Sequence, residues 1–417
     1  MDYYVKNFIP HGQLETPSSK SYAHRFLIVA FMNNKPVTIK DIVFSDDIKT
    51  TINALKVMGA KFKVGKDYVK FIKRKTVKAP LIIKVNESAT TLRLLIPLAS
   101  YIFGRVKFVG SKTLFSRPLD IYEEILTDQH VKYEKGEDFI EIFENFPLIN
   151  YEIKGDISSQ FASGLILLAA YSKKAFKVNV IPPFESYNYF EMTLHVLDLF
   201  GYQINKNKYC FTYSHKIENE LTDFDVETDF SLLANFAVLS ALRGNVSFKV
   251  DNIFSVQGDV EIFNILKSIG AKIEYPDNSV SIKRAEILKP FQVDIKNIID
   301  LGPILFVLAA LIPGKSTIKN ARRLKMKESD RLKSMITELS KIGVKAKLIR
   351  DTVYIEGQES YKIDQVTFET YNDHRIAMAL TILGMFIDGQ VTVKDINCVT
   401  KSYPNFIKDL ESLNKWN

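Results

Sequence analysis

Residues 265–283 read ILKSIGAKIEYPDNSVSIK, and a phrase of this kind returns along the chain. Its first part is an amphipathic helical segment that stops at Gly270, where glycine suits the left-handed turn that commonly ends a helix. Residues 272–275 and 280–283 then alternate apolar and polar side chains on either side of the turn sequence PDN. The phrase therefore predicts a helix followed by a β-hairpin.

The phrase has a period of about 70 residues. Glycine marks the end of each helical segment except in the second copy; in chain order the markers are Gly59, His130, Gly201, Gly270 and Gly343. They lie 71, 71, 69 and 73 residues apart, so the period fits six times into 417 residues. Six units would make an unusually large single core, and grouping them three and three predicts two similar α/β domains with a cleft between them.

Composition and charge exclude several classes of protein. The chain is 46% apolar with a formal charge of +8, which suits small anionic substrates. Without an aromatic-studded basic tract or zinc spacing, we expect no nucleic-acid partner. The longest apolar runs, 165–171 and 304–312, fall far short of the roughly 20 residues of a membrane span, so no membrane association is expected. Cys210 and Cys398 lie far apart and the first residues lack a signal-peptide pattern, which predicts a cytoplasmic protein.

Several predicted helices begin with hydroxyl groups, a cation or both. At such a position, free backbone N–H groups and the helix dipole can hold an anion. The segments are TPSSKSYAHR at 16–25, NESATTLR at 86–93, DISSQF at 156–161, YNDHR at 371–375 and TKSYP at 400–404. An ordinary capped helix start is the alternative interpretation of each.

Residues 325–332, KMKESDRL, crowd cations and carboxylates into the start of another amphipathic helix. Lys327 and Arg331 stand one turn apart, where they oppose the helix dipole unless an anion lies between them. An anionic ligand would resolve this conflict, and a salt-bridged surface helix is the alternative. Ser329 and Asp330 are expected to cap or orient the helix start.

Two further residues stand next to buried-looking helices. Asp300 precedes the apolar run 304–312, so we expect either a raised pKa and a role as a base, or a helix cap. His374 follows Asp373 directly, and this pairing favours a structural hydrogen bond between the two side chains over a catalytic histidine. No other histidine has metal-ligand spacing, so the sequence predicts no metal site.

Taken together, six segments resemble the signatures of the 5-enolpyruvylshikimate-3-phosphate (EPSP) synthase family in the family's order. They span nearly the whole chain: 17–25, 88–93, 158–161, 327–331, 373–378 and 401–404. The resemblance implies two domains, each of three βαβαββ-like repeats around inward helices, an inside-out α/β barrel. Residues 14–227 would form the first domain, and 1–13 with 228–417 the second. It also implies a monomer that needs no cofactor.

The family transfers the enolpyruvyl group of phosphoenolpyruvate to the 5-hydroxyl of shikimate 3-phosphate and releases phosphate, in the shikimate pathway of aromatic amino acid biosynthesis. By matching positions, Asp300, Glu328 and Lys20 would take part in proton transfer, with the division of steps left open. The implied shikimate 3-phosphate ligands are Lys20, Ser21, Arg25, Ser158, Ser159, Gln160, Ser186, Tyr189, Asp300, Arg323 and Lys327. The implied phosphoenolpyruvate ligands are Lys20, Ala89, Arg117, Gln160, Arg331, Arg375 and Lys401.

The chain departs from the family pattern at three places. Ala89 replaces a usual glycine near the phosphate of phosphoenolpyruvate, and its methyl group should crowd the bulkier phosphonate glyphosate more than the substrate. Thr228 also replaces a usual glycine, and Tyr187-Asn188 replaces a common Lys-Pro. The last two departures put the local backbone shape in question.

Two other functions are compatible with parts of the pattern. A transferase of the enolpyruvyl group to UDP-N-acetylglucosamine shares the fold, but it should carry Lys-Asn where this chain has Lys20-Ser21, and typically a reactive cysteine in the first domain. A non-catalytic anion-binding repeat protein would gain nothing from carboxylates beside anionic ligands, so Asp300 and Glu328 argue against it.

Overall fold

The computed structural model describes residues 1–218 and 220–414. The α-helices are α1 Lys20–Asn33, α2 Asp46–Val57, α3 Ala89–Phe103, α4 Lys112–Phe115, α5 Asp120–Asp128, α6 Ser159–Ser172, α7 Tyr187–Leu199, α8 Phe230–Arg243, α9 Ile262–Ser268, α10 Gly302–Ala310, α11 Arg331–Ser340, α12 His374–Gly384 and α13 Phe406–Ser412. Short 3₁₀ helices cover Gly258–Glu261, Ile299–Leu301, Arg322–Met326 and Ile396–Lys401.

The strands of the first half are β1 Tyr3–Tyr4, β2 His11–Glu15, β3 Val37–Lys40, β4 Ala60–Val64, β5 Val69–Arg74, β6 Leu81–Asn86, β7 Val106–Gly110, β8 Tyr133–Lys135, β9 Phe139–Ile142, β10 Tyr151–Lys154, β11 Lys177–Ile181, β12 Tyr202–Asn207 and β13 Cys210–Lys216. Those of the second half are β14 Asp223–Asp225, β15 Asn245–Lys249, β16 Lys272–Glu274, β17 Ser279–Lys283, β18 Gln292–Asp294, β19 Gly314–Lys319, β20 Lys345–Ile349, β21 Thr352–Gly357, β22 Tyr361–Phe368 and β23 Ile387–Val393.

The predicted unit of a helix followed by a hairpin is confirmed five times. The copies are α2-β4-β5, α5-β8-β9, α7-β12-β13, α9-β16-β17 and α11-β20-β21, each with an antiparallel hairpin. All four marker glycines have positive φ, between 81° at Gly343 and 110° at Gly270. His130 has a φ of 54°, so the second copy keeps the left-handed turn without glycine.

Each hairpin belongs to a four-stranded sheet with one shared pattern. In the sheet β6-β7-β9-β8, β6 and β7 are parallel and β7 pairs antiparallel with β9. The sheets β10-β11-β13-β12, β14-β3-β5-β4, β2-β15-β17-β16 and β18-β19-β21-β20 repeat it. The sixth sheet has only three strands, β22-β23-β1, because the two-residue β1 takes the position of a hairpin strand.

The chain forms two compact units, Ser18–Val226 and the combination of Met1–Pro17 with Glu227–Asn417. Within the first unit, β14 pairs with β3, so the last strand of the unit completes the sheet of its first repeat. Within the second unit, all five residues of β2 pair with β15. The sequence places the boundaries at 13/14 and 227/228, whereas β2 continues to Glu15.

Each unit contains three helices that are buried on all sides: α1, α3 and α6 in the first, and α8, α10 and α12 in the second. All nine residues of α10 are buried, and they are apolar apart from glycine and proline, which is typical of a core helix. In the second unit these helices pack on one another, and in the first unit α3 packs on α6. The predicted anion segments 16–25, 86–93, 156–161 and 371–375 lie at the starts of α1, α3, α6 and α12, whereas 325–332 leads into α11 and 400–404 precedes α13.

Over residues 1–218 and 220–414, no helix has the length and apolar character that crossing a membrane requires. In the same part of the chain, no cluster of three or more His, Cys, Asp or Glu side chains could hold a metal ion. Cys210 and Cys398 are both free thiols.

Candidate active site

Asp300 is the centre of a charged cluster in the second unit. Its Oδ1 lies 3.1 Å from Lys327 Nζ and 3.0 Å from Arg331 NH1, and its Oδ2 lies 3.0 Å from Arg375 NH2. The carboxylate stands in the 3₁₀ turn before α10, while the three cations come from the segment before α11, the start of α11 and the start of α12. The fold thus gathers three predicted site residues around the carboxylate of a fourth.

The predicted pKa of Asp300 is wrong in direction. Burial alone would raise the pKa of this carboxyl, but Arg375, Lys327 and Arg331 together outweigh burial and hold it well below its usual range. The alternative prediction of a helix cap is also wrong, since Leu301 is the N-cap of α10 and no side chain caps that helix. Asp300 is therefore an ionised carboxylate at neutral pH.

Arg331 is 1% exposed and lies among three carboxylates. Its Nε is 2.8 Å from Asp373 Oδ2, and its NH2 is 2.6 Å from Glu328 Oε2, in addition to the contact with Asp300. Burial would lower the pKa of Arg331, but the carboxylates more than compensate and raise it. The anion expected between Lys327 and Arg331 is thus supplied in this structure by the protein itself, and the segment is not a simple surface helix start.

Asp373 organises the cluster from the start of α12. As the N-cap it accepts from Arg375 N at 2.9 Å, and its carboxylate also accepts from Ser329 Oγ at 3.0 Å. The Arg375 side chain donates to Ser231 Oγ at 2.9 Å. Sequence reasoning missed Asp373 and Ser231 as site residues, although an Asp or Ser at the start of a mostly apolar, buried helix was an available signal.

The starts of α8, α10 and α12 meet at Arg375. Ser231 in the first turn of α8 donates to Asp229 Oδ1 at 2.6 Å, and Asp229 is the N-cap of α8. Arg375 NH2 contacts both Ser231 and Asp300, which leads into α10. Three helix N-termini and a cation therefore converge on one small region, which is a favourable arrangement for anions.

Lys327 and Arg323 are neighbours at the same end of the second unit. Burial lowers the pKa of Lys327 to about 8; Asp300 opposes this effect, while Arg331 and Arg323 add to it. Arg323 is buried and donates to Lys296 O at 3.2 Å. Lys401, the last residue of a 3₁₀ helix that packs against α12, is also buried.

Two smaller predictions for this unit have opposite outcomes. Asp330 caps α11 by accepting from Lys333 N at 2.9 Å, as expected. His374 Nδ1 lies 3.9 Å from Asp373 Oδ1, which is too long for the predicted hydrogen bond. The Asp373 carboxylate is instead directed to Arg331, because a guanidinium offers two parallel donors.

In the first unit, Lys20 begins α1 and pairs with a carboxylate that the sequence did not reveal. Lys20 Nζ lies 2.7 Å from Asp47 Oδ2, and both side chains are mostly buried. Asp47 comes from the first turn of α2, where a carboxylate favours the helix dipole. The hydroxyl of Ser19 caps α1.

Arg25 joins α1 to α7 from a buried position. Its guanidinium donates to Ser21 O, Tyr189 O and Thr193 Oγ1, each at 2.7 Å. Burial lowers the pKa of Arg25 to about 10, so it stays charged at neutral pH. Three predicted site residues, Ser21, Arg25 and Tyr189, are thereby held together, and Ser186 adjoins them as the N-cap of α7.

Gln160 links the starts of α3 and α6. Its Nε2 donates to Thr90 Oγ1 at 2.9 Å, and its Oε1 accepts from Arg93 NH1 at 3.2 Å. Arg93 ends the predicted anion segment 86–93 but was not predicted as a ligand of either substrate. It also donates to Pro118 O at 2.7 Å. This bond places the chain next to Arg117 against the same helix start.

Serine hydroxyls cap the two helices that Gln160 links. Ser88 caps α3, whose first residue is the buried Ala89. Ser158 caps α6, whose first residue is Ser159. These serines were predicted either to cap a helix or to bind an anion, and the cap is formed. A cap accepts from one N–H group of the first turn, and the other N–H groups of that turn still point towards the helix start, where an anion could bind.

The two departures that questioned the backbone shape are accommodated. Thr228 is buried, its backbone lies outside the left-handed region, and its hydroxyl lies 3.1 Å from Thr16 Oγ1. Tyr187 is the first residue of α7, and its ring packs edge-on against Phe184. The left-handed residue is the preceding Ser186, with a φ of 56°.

Comparison with known proteins gives matches along nearly the whole chain. The sequence profile of the EPSP synthase (3-phosphoshikimate 1-carboxyvinyltransferase) family matches residues 10–410. A 3-phosphoshikimate 1-carboxyvinyltransferase of Brachyspira hyodysenteriae is 36% identical over 407 residues, 96% of each chain. One of Clostridium acetobutylicum is 37% identical over 410 residues, 96% of this chain and 95% of the relative.

Solved structures share the fold at lower identity. An EPSP synthase of Acinetobacter baumannii superposes with a TM-score of 0.80 and 21% identity, covering 99% of this chain and 98% of that one. The enolpyruvyl transferase NikO of Streptomyces tendae gives 0.77 and 14%, covering 99% and 96%. The predicted inside-out α/β fold is confirmed, and neither the UDP-N-acetylglucosamine reaction nor a non-catalytic role is favoured. Because the family profile matches residues 10–410 and a relative is 36% identical over 96% of each chain, the chain belongs to the EPSP synthase (3-phosphoshikimate 1-carboxyvinyltransferase) family.

Proposed function

We propose that the chain transfers the enolpyruvyl group of phosphoenolpyruvate to the 5-hydroxyl of shikimate 3-phosphate and releases phosphate. The observation that carries the proposal is the ring of Lys327, Arg331 and Arg375 around Asp300. Both substrates are small polyanions, which need several cations, and the chemistry needs proton donors and acceptors among those cations. A cluster of cations and ionised carboxylates at three helix N-termini offers both.

The reaction has two proton-transfer stages. In the addition, C3 of phosphoenolpyruvate gains a proton while C2 bonds to the 5-oxygen, which loses its own. In the elimination, the methyl group formed at C3 loses a proton and phosphate leaves from C2, which regenerates the double bond. The ionised state of Asp300 suits a proton acceptor for the 5-hydroxyl. Glu328 and Lys20 are the candidates for the transfers at C3 and at the leaving phosphate.

The residues assigned to each substrate are those at positions that match the family. For shikimate 3-phosphate these are Lys20, Ser21, Arg25, Ser158, Ser159, Gln160, Ser186, Tyr189, Asp300, Arg323 and Lys327. For phosphoenolpyruvate they are Lys20, Ala89, Arg117, Gln160, Arg331, Arg375 and Lys401. Support comes from the contacts within each unit, which bring Ser21, Arg25 and Tyr189 together in one and Arg331 and Arg375 in the other. The buried Arg25 donates to protein oxygens, which fits a role in shaping its pocket.

A phosphate-release assay tests the function. We expect phosphate from phosphoenolpyruvate only when shikimate 3-phosphate is present, with none when UDP-N-acetylglucosamine replaces it and no loss after treatment with a chelator. Release that is independent of both acceptors, or that requires the UDP sugar, would contradict the proposal. Light scattering of the active protein tests the expected monomer, and we place the reaction in the cytoplasm without a nucleic-acid or membrane partner.

Two variants test the residue roles in the same assay. Lys20→Met and Glu328→Gln should each lower kcat at least a hundredfold, within the range for removing a group that moves protons or stabilises charge. Lys49→Met is a matched control, since Lys49 forms an exposed ion pair with Asp46 on the same helix turn as Asp47. Wild-type rates in both Lys20→Met and Glu328→Gln would refute the assigned roles.

A further inference from the structure

Glu338 is a fully buried carboxylate on α11 that the reaction does not use. Its Oε1 accepts from Tyr371 OH at 2.6 Å. Its Oε2 accepts from Glu369 N at 2.9 Å and from Lys341 Nζ at 2.6 Å. Burying a carboxylate is costly unless hydrogen bonds compensate it, and here three donors do so. Two of the three donors come from the chain segment that leads from β22 to α12.

That segment has an unusual backbone. Tyr371 and Asn372 have φ values of 54° and 53°, so two successive residues other than glycine are left-handed. Such conformations cost on the order of 1–3 kcal/mol each and persist only where the surroundings impose them. Tyr371 is 41% exposed as a residue, and its hydroxyl donates to the buried Glu338. The bond to Glu338 is therefore a direct restraint on the left-handed turn.

The residue after this turn is Asp373, the N-cap of α12. Asp373 fixes Arg331 through two guanidinium contacts and receives the backbone N–H of Arg375. Arg331 and Arg375 are the two cations of the second unit's helix starts assigned to phosphoenolpyruvate. A shift of the turn would thus move the carboxylate that orients Arg331 and the first turn that carries Arg375.

We propose that Glu338 and Tyr371 are positioning residues, which hold the left-handed turn and thereby set Arg331 and Arg375 for phosphoenolpyruvate. The inference rests on the proposed function and names a pair outside the assigned ligands. Glu338 lies two helical turns beyond Arg331 on α11, so one helix carries a phosphoenolpyruvate cation at its start and the anchor of the opposing turn further along. Glu338 acts through Asp373, which contacts both Arg331 and Arg375. Loss of Glu338 should therefore weaken the binding of phosphoenolpyruvate more than the binding of shikimate 3-phosphate.

The test compares Tyr371→Phe and Glu338→Gln with Lys341→Met. Tyr371→Phe deletes one hydrogen bond and keeps the ring, so it is the variant least at risk of misfolding. Lys341→Met removes the third partner of the same carboxylate, an ammonium that is 32% exposed and also binds Thr367 O. It controls for general loss of the Glu338 network without touching the turn.

Tyr371→Phe should raise the KM for phosphoenolpyruvate roughly tenfold, the effect of losing one hydrogen bond to a charged group. The KM for shikimate 3-phosphate should stay within about twofold. Glu338→Gln should act in the same direction, because it replaces one acceptor oxygen of the carboxylate by an NH2 group and removes the charge that Tyr371 OH faces. The double variant should show less than the sum of the two single effects, because both changes act on the same contact. Lys341→Met should keep both constants.

Three results would overturn the inference. The first is a lowered unfolding temperature in Tyr371→Phe and Glu338→Gln with unchanged kinetic constants, which is the behaviour of a purely structural network. The second is an equal rise of the two KM values, and the third is full additivity in the double variant. An inactive wild-type protein would instead refute the proposed function, so the two failures are distinguishable.

Discussion

Lys327 gives a prediction in which pH is the perturbation. Its ordinary pKa of 10.5 is lowered to about 8 by burial, in spite of Asp300 at 3.1 Å. That difference corresponds to a penalty of about 3 kcal/mol on the charged form in the folded state. Below pH 8 the lysine is charged in both states, so the whole penalty is present. Between about pH 8 and 10.5 the unfolded chain holds the extra proton, and this group's contribution to stability therefore rises with pH.

Binding should follow the opposite trend. Above pH 8 the free protein loses the cation assigned to shikimate 3-phosphate, so kcat/KM for this substrate should fall about tenfold per pH unit. The value of kcat at saturating substrate should persist to higher pH, because the bound phosphate raises the pKa of Lys327. Steady-state assays from pH 6.5 to 10, with each substrate varied in turn, measure the basic limb of each pH profile, that is, the fall of kcat/KM and the fall of kcat at high pH.

Lys327→Arg separates this cause from any other titration. Arginine stays charged throughout the range, so the basic limb near pH 8 should disappear from kcat/KM, even if the absolute value is lower. Lys325→Arg is the matched control, since Lys325 is exposed two residues away, and it should leave the limb in place. A limb near pH 8 that survives in Lys327→Arg would refute the assignment, as would a wild-type profile that is flat to pH 9.5.

Four further outcomes are expected. Asp373→Asn keeps the helix cap but removes the buried partner of a guanidinium, and should cost about 3 kcal/mol in denaturant unfolding, whereas Asp330→Asn at the equivalent cap should cost under about 1; equal effects would contradict this. Ala89→Gly should increase inhibition by glyphosate in the steady-state assay with little change for phosphoenolpyruvate, since it removes the methyl group at the start of α3. Thr228→Gly should destabilise by about 0.5–1 kcal/mol, because the backbone there is not left-handed. The acidic limb of kcat should lie at higher pH than that of kcat/KM if Asp300 is the base, and coinciding limbs would argue against it.

The repeat could be predicted because its signals are local. A helix that stops at a left-handed residue and an alternating hairpin are each encoded within about 20 residues, so five copies were found correctly. His130 was correctly placed as a degenerate copy, since its turn keeps the left-handed φ. The missing hairpin of the sixth unit could not be foreseen, because β1 reaches its partner strand β23 from the far end of the sequence.

The site shows the same limit. Helix caps depend on residues two or three apart, and the serine caps and the Asp330 cap could therefore be read directly. The ion pairs of Asp300 join residues 27, 31 and 75 positions away, and no local pattern reports those distances. Asp47 was missed for the same reason, since its partner Lys20 belongs to another helix. The predicted sign of the Asp300 pKa shift was wrong because the shift depends on these distant partners.

The carboxylates of the cluster also explain how the second unit can hold several cations at helix starts. Asp300, Glu328 and Asp373 neutralise Lys327 and Arg331 where the helix dipoles would otherwise oppose them. Under the proposed function, an anionic substrate would share these cations with the carboxylates that contact them. Negative charge would then accumulate around Asp300 and its ionised form would be stabilised less, so its pKa would rise from the low value that the three cations impose. If Asp300 is the proposed base, the same contacts that make it a weak base would let its basicity increase as the substrates bind, which is when a proton must be accepted.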